Sequence, residues 1–174
     1  NFGYMGTGDY LNDFWKYDQN TNVWSVCSSL PSVGRSLASS FVIGSNGYVG
    51  CGLTSNGNYL NDFWEYNSTN NTWTQKANID IYGRRAASSF AFGGMGYIAL
   101  GSIWKNSQQL LTNDLWEYDP NSNTWNQLDT LPSYKRRGGI GFSIGSKGYV
   151  GFGFDGGIGT YEDLWEFTKS CDVS

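Results

Sequence analysis

Four near-copies of one seven-residue stretch decide the fold: NDFWKYD (12–18), NDFWEYN (61–67), NDLWEYD (113–119) and EDLWEFT (162–168). Their tryptophans are spaced 49, 52 and 49 residues apart: Trp15, Trp64, Trp116 and Trp165. A fixed period of this length is typical of repeat architectures, in which each unit packs on its neighbours. We therefore divide the 174 residues into two full units flanked by two partial ones, at 1–34, 35–83, 84–135 and 136–174.

Each full unit predicts four short antiparallel strands, named a to d. Strand c alternates its side chains between two faces, and turns rich in Asn and Asp lead from c to d. A Gly-x-x-Gly pattern, with glycines three residues apart, predicts a tight turn between a and b. The predicted bounds are 39–43, 88–92 and 140–144 for a; 48–52, 97–101 and 149–153 for b; 62–66 and its copies for c; 23–26, 72–75 and 124–127 for d.

The predicted fold is an all-β propeller. A four-stranded sheet cannot cover both of its faces alone, whereas sheets stacked face to face around an axis can, as the blades of a β-propeller do. Large aromatic residues of c and d would fill the outer wedge between blades, and small residues of a and b would lie near the axis. Fourteen strands, or about 3.5 blades, are counted in the sequence.

An incomplete ring would leave blade faces rich in aromatic residues bare, which predicts a partner or aggregation. Three arrangements stay open at this point. The chain is a segment of a larger propeller with further blades, or two copies close one ring, or the units close a small four-bladed ring.

Composition excludes several classes of function. The net charge of −4 and a pI near 4.6 argue against a nucleic-acid partner, because phosphate binding needs a basic face. No apolar run approaches the roughly 18 residues of a membrane span. The absence of His removes Ser-His-Asp catalysis and His-ligated metals. Three cysteines leave the disulfide state open: Cys51 is expected to be a buried apolar residue, and Cys27 could pair with Cys171.

The units resemble kelch repeats, which are about 50 residues long and build propellers. The resemblance covers essentially the whole chain. It rests on a leading Arg, a Gly-Tyr opening of strand b, an aromatic–Tyr pair in c and a Trp in d. The double glycine that family members often show after strand b is replaced by GCG (50–52), ALG (99–101) and GFG (151–153). The style of the repeats resembles exported bacterial members, which implies an extracellular or cell-surface protein.

The resemblance implies a ligand pocket on the face that carries the d–a and b–c loops. The arginines Arg35, Arg84 and Arg136, with the additional Arg85 and Arg137, are expected there. Converging guanidinium groups would attract a carboxylate, sulfate or phosphate. The alternative is that the first three bond main-chain carbonyls and tie the loops between blades.

The b–c loops differ most between units, and recognition usually lies in such variable loops. They contribute the remaining candidate ligand-binding residues: Tyr59, Trp104, Lys105, Asp155 and Tyr161. Aromatic platforms beside amides and a carboxylate suit a sugar ring, and they suit a peptide equally well. The alternative is ordinary packing on the neighbouring blade.

Other acidic and amide motifs have structural explanations. Two turns begin like calcium loops, at Asp18 and Asp119, but lack the later Gly and Glu, so no metal or cofactor is predicted. Sequons at Asn67 and Asn70 would matter in a eukaryotic secretory host. One Asp per unit is expected to accept main-chain N–H bonds at the start of strand c: Asp13, Asp62, Asp114 and Asp163.

These patterns are consistent with three functions. The first is a non-catalytic module that binds a protein or a glycan, as part of a larger exported protein or assembly. The second is a kelch-like sugar enzyme. A galactose-oxidase type is disfavoured because its copper needs His, whereas a sialic-acid mutarotase type is open. The third is an assembly or adhesin segment whose bare blade faces dock other chains, including another copy.

Overall fold

Every regular element in residues 2–157 and 159–169, which this computed structural model describes, is a β-strand. Four antiparallel sheets follow one another along the chain. Blade 1 has β1 (Phe2–Gly6), β2 (Phe14–Asp18) and β3 (Val23–Val26), and blade 2 has β4 (Ser39–Ile43), β5 (Asn46–Gly50), β6 (Phe63–Asn67) and β7 (Thr72–Lys76).

The second half of the chain repeats this order and adds a small sheet. The small sheet consists of β8 (Arg84–Arg85), β11 (Ser102–Lys105) and β12 (Gln108–Leu111). Blade 3 has β9 (Ser88–Phe92), β10 (Met95–Ala99), β13 (Leu115–Asp119) and β14 (Thr124–Gln127), and blade 4 has β15 (Ile140–Ile144), β16 (Lys147–Gly151) and β17 (Leu164–Thr168). The predicted all-β fold with fourteen blade strands is confirmed, and these described strands do not close a ring.

Strand c lies one residue later than predicted, at Phe63–Asn67 rather than 62–66, and two larger details differ from the sequence prediction. Strand b begins and ends two residues earlier than predicted, because the turn before it is only two residues long, as Ile43 pairs directly with Asn46. Gly44 in that turn has a φ of 60°, which glycine adopts without strain. The small sheet was not predicted: its strands β11 and β12 lie in what was expected to be the loop 102–112.

The residues after strand b leave the sheet in a left-handed conformation. Cys51, Leu100 and Phe152 have φ values of 61°, 62° and 59°. This is the first position of the double glycine mentioned above, so three residues with side chains occupy a conformation that favours glycine. The glycines that follow them have φ values of 95° to 103°.

Aromatic side chains of strands c and d fill the wedge between successive blades. Trp73 of β7 packs edge-on against Phe14 of blade 1, with ring centroids 5.0 Å apart, and Trp125 of β14 packs likewise against Phe63 of blade 2 at 4.9 Å. Each indole nitrogen also donates to a carbonyl of the preceding blade's trailing loop, at 2.8 Å and 3.0 Å. The inter-blade contact therefore combines apolar burial with a directional hydrogen bond.

The inner strands pack closely enough that glycine is required at their crossing. A Cβ built on Gly96 of β10 would lie 2.1 Å from the ring of Phe41 in blade 2, and one on Gly148 of β16 would lie 2.1 Å from the ring of Phe90 in blade 3.

Within residues 2–157 and 159–169, no helix has the length and apolar character needed to cross a membrane.

Candidate functional site

The d–a and b–c loops lie together on one face, as predicted for the pocket side. We call it the loop face, formed by residues 7–13, 27–38, 51–62, 77–87, 100–114, 128–139, 152–157 and 159–163. Backbone bridges join Arg35 to Leu11 of the preceding unit, and Ser36 to Leu53 of its own unit. A line of backbone bonds runs from Gly138 N to Ala86 O, at 2.8 Å, and from Ala86 N to Leu37 O, at 3.0 Å. This network holds the loops of neighbouring units in a fixed arrangement.

The leading arginines point into the blades. Arg84 is buried, and its two terminal nitrogens donate to the two oxygens of Asp114 at 2.7 Å and 2.6 Å. Arg35 forms the same fork with Asp62, at 2.7 Å to each oxygen. Arg136 forms it with Asp163. These three guanidinium groups therefore do not form the predicted cluster for a ligand anion, because each is buried and bonded to an acid of its own unit.

Each leading arginine also bonds a main-chain carbonyl, as the alternative interpretation expected. The acceptors are Cys51 O at 3.0 Å, Leu100 O at 2.6 Å and Phe152 O at 3.3 Å. These are the three residues in the left-handed conformation after strand b. The arginines thus donate hydrogen bonds to the carbonyl oxygens at the end of each sheet, and these bonds connect the loop face to the blade.

The repeated aspartates have a different role from the one predicted. Instead of main-chain N–H bonds, three of them accept hydrogen bonds from both the guanidinium and the indole two residues later, and Asp13 accepts a bond from its indole. Trp64 Nε1 donates to Asp62 at 2.8 Å, and Trp116 Nε1 donates to Asp114 at 2.8 Å. Trp15 and Trp165 make the same bond, each at 2.7 Å, to Asp13 and Asp163. The acid is therefore structural in all four units.

These ion pairs make stability depend on pH. Burial raises the pKa of Asp114, but the bonds and charge of Arg84 outweigh burial and hold this pKa below its ordinary value. Hydrogen bonding from Arg136 lowers the pKa of Asp163 to about 2. A carboxyl whose pKa is depressed by folding stabilises the fold above its unfolded pKa, and that contribution is lost as pH falls through the folded pKa.

We expect the free energy of unfolding to fall between about pH 4 and pH 2, as measured by urea denaturation at several pH values. Asp163→Asn should be less stable than the parent at neutral pH and should show a smaller loss on acidification. An equal acid loss in parent and variant would contradict this role of Asp163.

Three of the predicted ligand residues meet in one cluster on the loop face. The Trp104 cluster consists of Tyr59, Arg85, Trp104 and Gln109. Tyr59 and Trp104 have ring centroids 5.9 Å apart, and the guanidinium of Arg85 lies 4.9 Å from the centroid of the Tyr59 ring. Gln109 Oε1 accepts from Tyr59 Oη at 3.0 Å and from Arg85 at 2.8 Å. The cluster joins the b–c loops of two neighbouring units.

The indole of Trp104 is the accessible platform of this cluster, with half of its surface exposed (50%). It stands on the hairpin β11–β12, where it is paired across the strands with Gln109. Lys105 is the next residue but lies outside the cluster, because its ammonium sits 4.8 Å from the centroid of the Tyr82 ring.

Three more candidates, Arg136, Asp155 and Tyr161, meet in a second group where the third unit joins the fourth. The Tyr161 cluster consists of Tyr134, Arg136, Asp155 and Tyr161. Tyr161 stacks on Tyr134 with centroids 5.6 Å apart and covers the guanidinium of Arg136 at 4.0 Å. Its hydroxyl donates to Asp155 at 3.4 Å. Arg137 lies over the ring of Phe154 at 5.1 Å. Backbone N–H bonds, first from Gly157, hold the pKa of Asp155 below its ordinary value.

Sequence reasoning missed Gln109, Tyr82, Tyr134 and Phe154. A signal existed for Gln109: the stretch SIWKNSQQLL (102–111) is two strand-like runs around Asn106-Ser107, and such a pattern predicts a hairpin. Asn106 and Ser107 have φ values of 52° and 59°, as a tight turn with two left-handed residues requires. Recognising that hairpin would have placed Gln109 opposite Trp104.

The calcium-like turns at Asp18 and Asp119 and the thiol of Cys51 have structural surroundings in the described residues. Asp18 and Asp119 accept turn N–H bonds at 2.9 Å and 2.8 Å, as hairpin turns do. The described part of the chain holds no group of Cys, Asp or Glu side chains placed to bind a metal ion. Burial raises the pKa of the Cys51 thiol to about 12, which disfavours the reactive thiolate. The possible Cys27–Cys171 pair involves a residue outside the described ranges.

The blades and their loop face define the architecture of a β-propeller. The family model described as the kelch motif matches residues 3–31 of this chain. The solved structure entitled "Structure of YjhT" is similar to the chain with a TM-score of 0.75 at 21% sequence identity, over 88% of this chain and 55% of that one. The chain thus spans about half the length of that structure. No curated protein matches the sequence. The resemblance to kelch repeats predicted from the sequence is confirmed by the motif match at residues 3–31.

Proposed function

We propose that the chain is a non-catalytic binding module that holds a glycan or protein ligand on its loop face, against the Trp104 cluster. The observation that carries this proposal is the half-exposed indole of Trp104 beside Tyr59, Arg85 and Gln109. Aromatic platforms with a few placed polar groups are typical of binding sites. An extracellular or cell-surface location is part of the proposal.

The chemistry of the cluster favours a glycan. A sugar ring presents C–H groups on one face and hydroxyl groups at its rim. The indole of Trp104 offers an apolar surface for the C–H face. Gln109 and Arg85 offer an amide and a guanidinium for the rim, and Arg85 would also pair with a sugar carboxylate. The Tyr59–Gln109 and Arg85–Gln109 bonds hold these groups in place before a ligand arrives, which lowers the ordering cost of binding.

Trp104→Ala should weaken glycan binding by about 10- to 30-fold. The measurement is a screen of the chain on immobilised oligosaccharides, followed by calorimetric titration with the best binder. Trp24→Ala is the matched control, because Trp24 is similarly exposed (45%) but lies on β3, away from the loop face. The glycan proposal is rejected if the parent and Trp104→Ala bind with equal affinity, or if no oligosaccharide binds. A peptide array then tests for a protein ligand.

A kelch-like sugar enzyme of the sialic-acid mutarotase type is the second candidate. The observation that favours it is the carboxylate of Asp155 next to the phenol of Tyr161, in the same unit as Arg137. With its lowered pKa, Asp155 is ionised at neutral pH and would act as a base rather than an acid. Proton NMR of N-acetylneuraminate mutarotation separates the two functions: the binding module leaves the rate at that of buffer, whereas a rate that falls in Asp155→Asn supports the enzyme.

A further inference from the structure

The polar groups of the Trp104 cluster that are free to meet a ligand are almost all hydrogen-bond donors. Gln109 Oε1 accepts from both Tyr59 Oη and Arg85, at 3.0 Å and 2.8 Å. A guanidinium group can only donate, so the end of the amide that faces Arg85 is the oxygen, and Nε2 is the end left over. The acceptor of the Gln109 amide is therefore occupied within the protein, and its N–H donors remain available to a ligand.

The indole N–H of Trp104 is a second free donor. In six of the eight tryptophans, the indole nitrogen donates to a carboxylate or to a main-chain carbonyl of the protein. Within residues 2–157 and 159–169, Trp104 and Trp24 make no such bond. Of these two, only Trp104 lies on the loop face, and Gln109 is its partner across the hairpin. Two free donors therefore lie side by side.

Arg85 adds a positive charge that no carboxylate neutralises in the described part of the chain. Its neighbour Arg84 is paired with Asp114. Arg85 instead donates to two uncharged oxygens, Gln109 Oε1 at 2.8 Å and Ser102 Oγ at 3.4 Å, and its Nη1 has no partner among the described residues. A partly buried guanidinium with free donors favours an anionic acceptor, because charge-assisted hydrogen bonds are about twice as strong as neutral ones.

Among the described residues, this arrangement occurs in one place. The position of Arg85 is taken by Ser36 in the second unit and by Arg137 in the fourth, as their bridges to the following b–c segment show. Arg137 lies over the ring of Phe154, and no side-chain amide in the described ranges bonds to it. The site is therefore built by the hairpin β11–β12 and not by the repeated part of the blade.

We propose that the Trp104 cluster selects sugars that carry a carboxylate or a sulfate, and that Gln109 sets this selectivity. The inference rests on the proposed function, since it names the class of glycan held there. The sugar ring lies on the indole, and its anionic group accepts from Arg85 and from Gln109 Nε2. Because the Gln109 oxygen is occupied by Tyr59 and Arg85, the ligand meets donors. The phenol oxygen of Tyr59 remains as an acceptor for a sugar hydroxyl.

The test compares sugars that differ mainly in charge. Calorimetric titration of the whole chain with trigalacturonate and with its methyl ester isolates the carboxylate. A sulfated galactan oligosaccharide and its desulfated form isolate the sulfate. We expect the charged member of at least one pair to bind about tenfold or more tightly than its neutral counterpart. This preference should shrink as the ionic strength rises, because salt screens the charge of Arg85.

Gln109→Glu should abolish the preference, because a carboxylate there pairs with Arg85 and places an acceptor where the amide donors were. We expect the charged and neutral sugars then to bind within about threefold of each other. The loss should fall on the charged sugar, and unchanged binding of the neutral one shows that the variant is folded. Gln108→Glu is the matched control: it adds the same charge one residue away, on the other face of β12, opposite Lys105. It should keep most of the preference.

Equal binding of the charged and neutral sugars by the parent would overturn this inference and leave the glycan-binding module standing. A preference that survives Gln109→Glu, or that Gln108→Glu removes equally, would refute the role of Gln109. Binding of no sugar at all would overturn both the inference and the glycan proposal. A peptide rich in Asp and Glu that binds in place of the sugars would assign the donors to a protein ligand and would also overturn the inference.

Discussion

Replacing Arg84 with methionine should lower the free energy of unfolding by about 3 kcal/mol or more. Methionine keeps much of the length of the side chain but removes every donor. The carboxylate of Asp114 would then stay in a mostly buried position without its partner, and Leu100 O would lose its guanidinium donor. Most of the loss comes from this unpaired charge, because a buried ion that loses its partner pays its full desolvation cost.

Arg85→Met is the matched control for this variant, since Arg85 is the next residue in the chain but lies in the partly exposed Trp104 cluster. We expect a change of less than about 1 kcal/mol. The double variant Arg84→Met/Asp114→Leu should recover part of the loss, because it removes the unpaired charge. Urea denaturation monitored by tryptophan fluorescence measures all three. Equal losses in Arg84→Met and Arg85→Met would refute a structural role specific to Arg84.

Gly96→Ala should cost about 3 kcal/mol, although it adds one methyl group to a strand. The new Cβ would lie 2.1 Å from two ring carbons of Phe41, and the ring cannot move away easily. Phe41 is buried and packs against Tyr48 and Phe63 at centroid distances of 5.5 Å and 5.4 Å. Blades 2 and 3 would have to separate, or Phe41 would have to leave its preferred rotamer.

Gly47→Ala provides the control within the same chain. Gly47 occupies the equivalent place in strand b of blade 2, but a Cβ there would meet only Tyr66 Cβ, at an ordinary 3.9 Å. We expect its stability to stay within about 0.5 kcal/mol of the parent. Thermal and urea denaturation of both variants give the comparison. Similar losses at the two positions would indicate that intrinsic strand preference, rather than inter-blade packing, sets the effect.

The blades were predictable because the same local pattern occurs four times. A motif such as NDFWEYN (61–67) carries its own strand alternation, its turn and its large aromatic residues, and repetition makes chance agreement very improbable. The exact bounds of strand b were not predictable. Gly-Tyr was assigned to the start of the strand, whereas the two-residue turn lets pairing begin at Asn46.

The candidate site was predictable in its location but not in its detail. The variable loops were assigned to one face, and Tyr59, Arg85 and Trp104 do lie together there. The repeat distinguished the leading Arg84 from the additional Arg85, but it could not show which of the two enters the blade. Successive residues of an extended segment point to opposite sides; hence Arg84 enters the blade and Arg85 lies beside Tyr59.

The repeated unit, the all-β class, the tryptophan of strand d and the lack of His could all be read from the amino-acid sequence. These are properties of short segments, where neighbouring residues specify strand, turn and side-chain type. The folded structure was needed to show which arginines are internal, which acids pair with them, and which loop residues meet across units. Those outcomes depend on groups tens of residues apart in the chain, whose distances arise from how the blades stack.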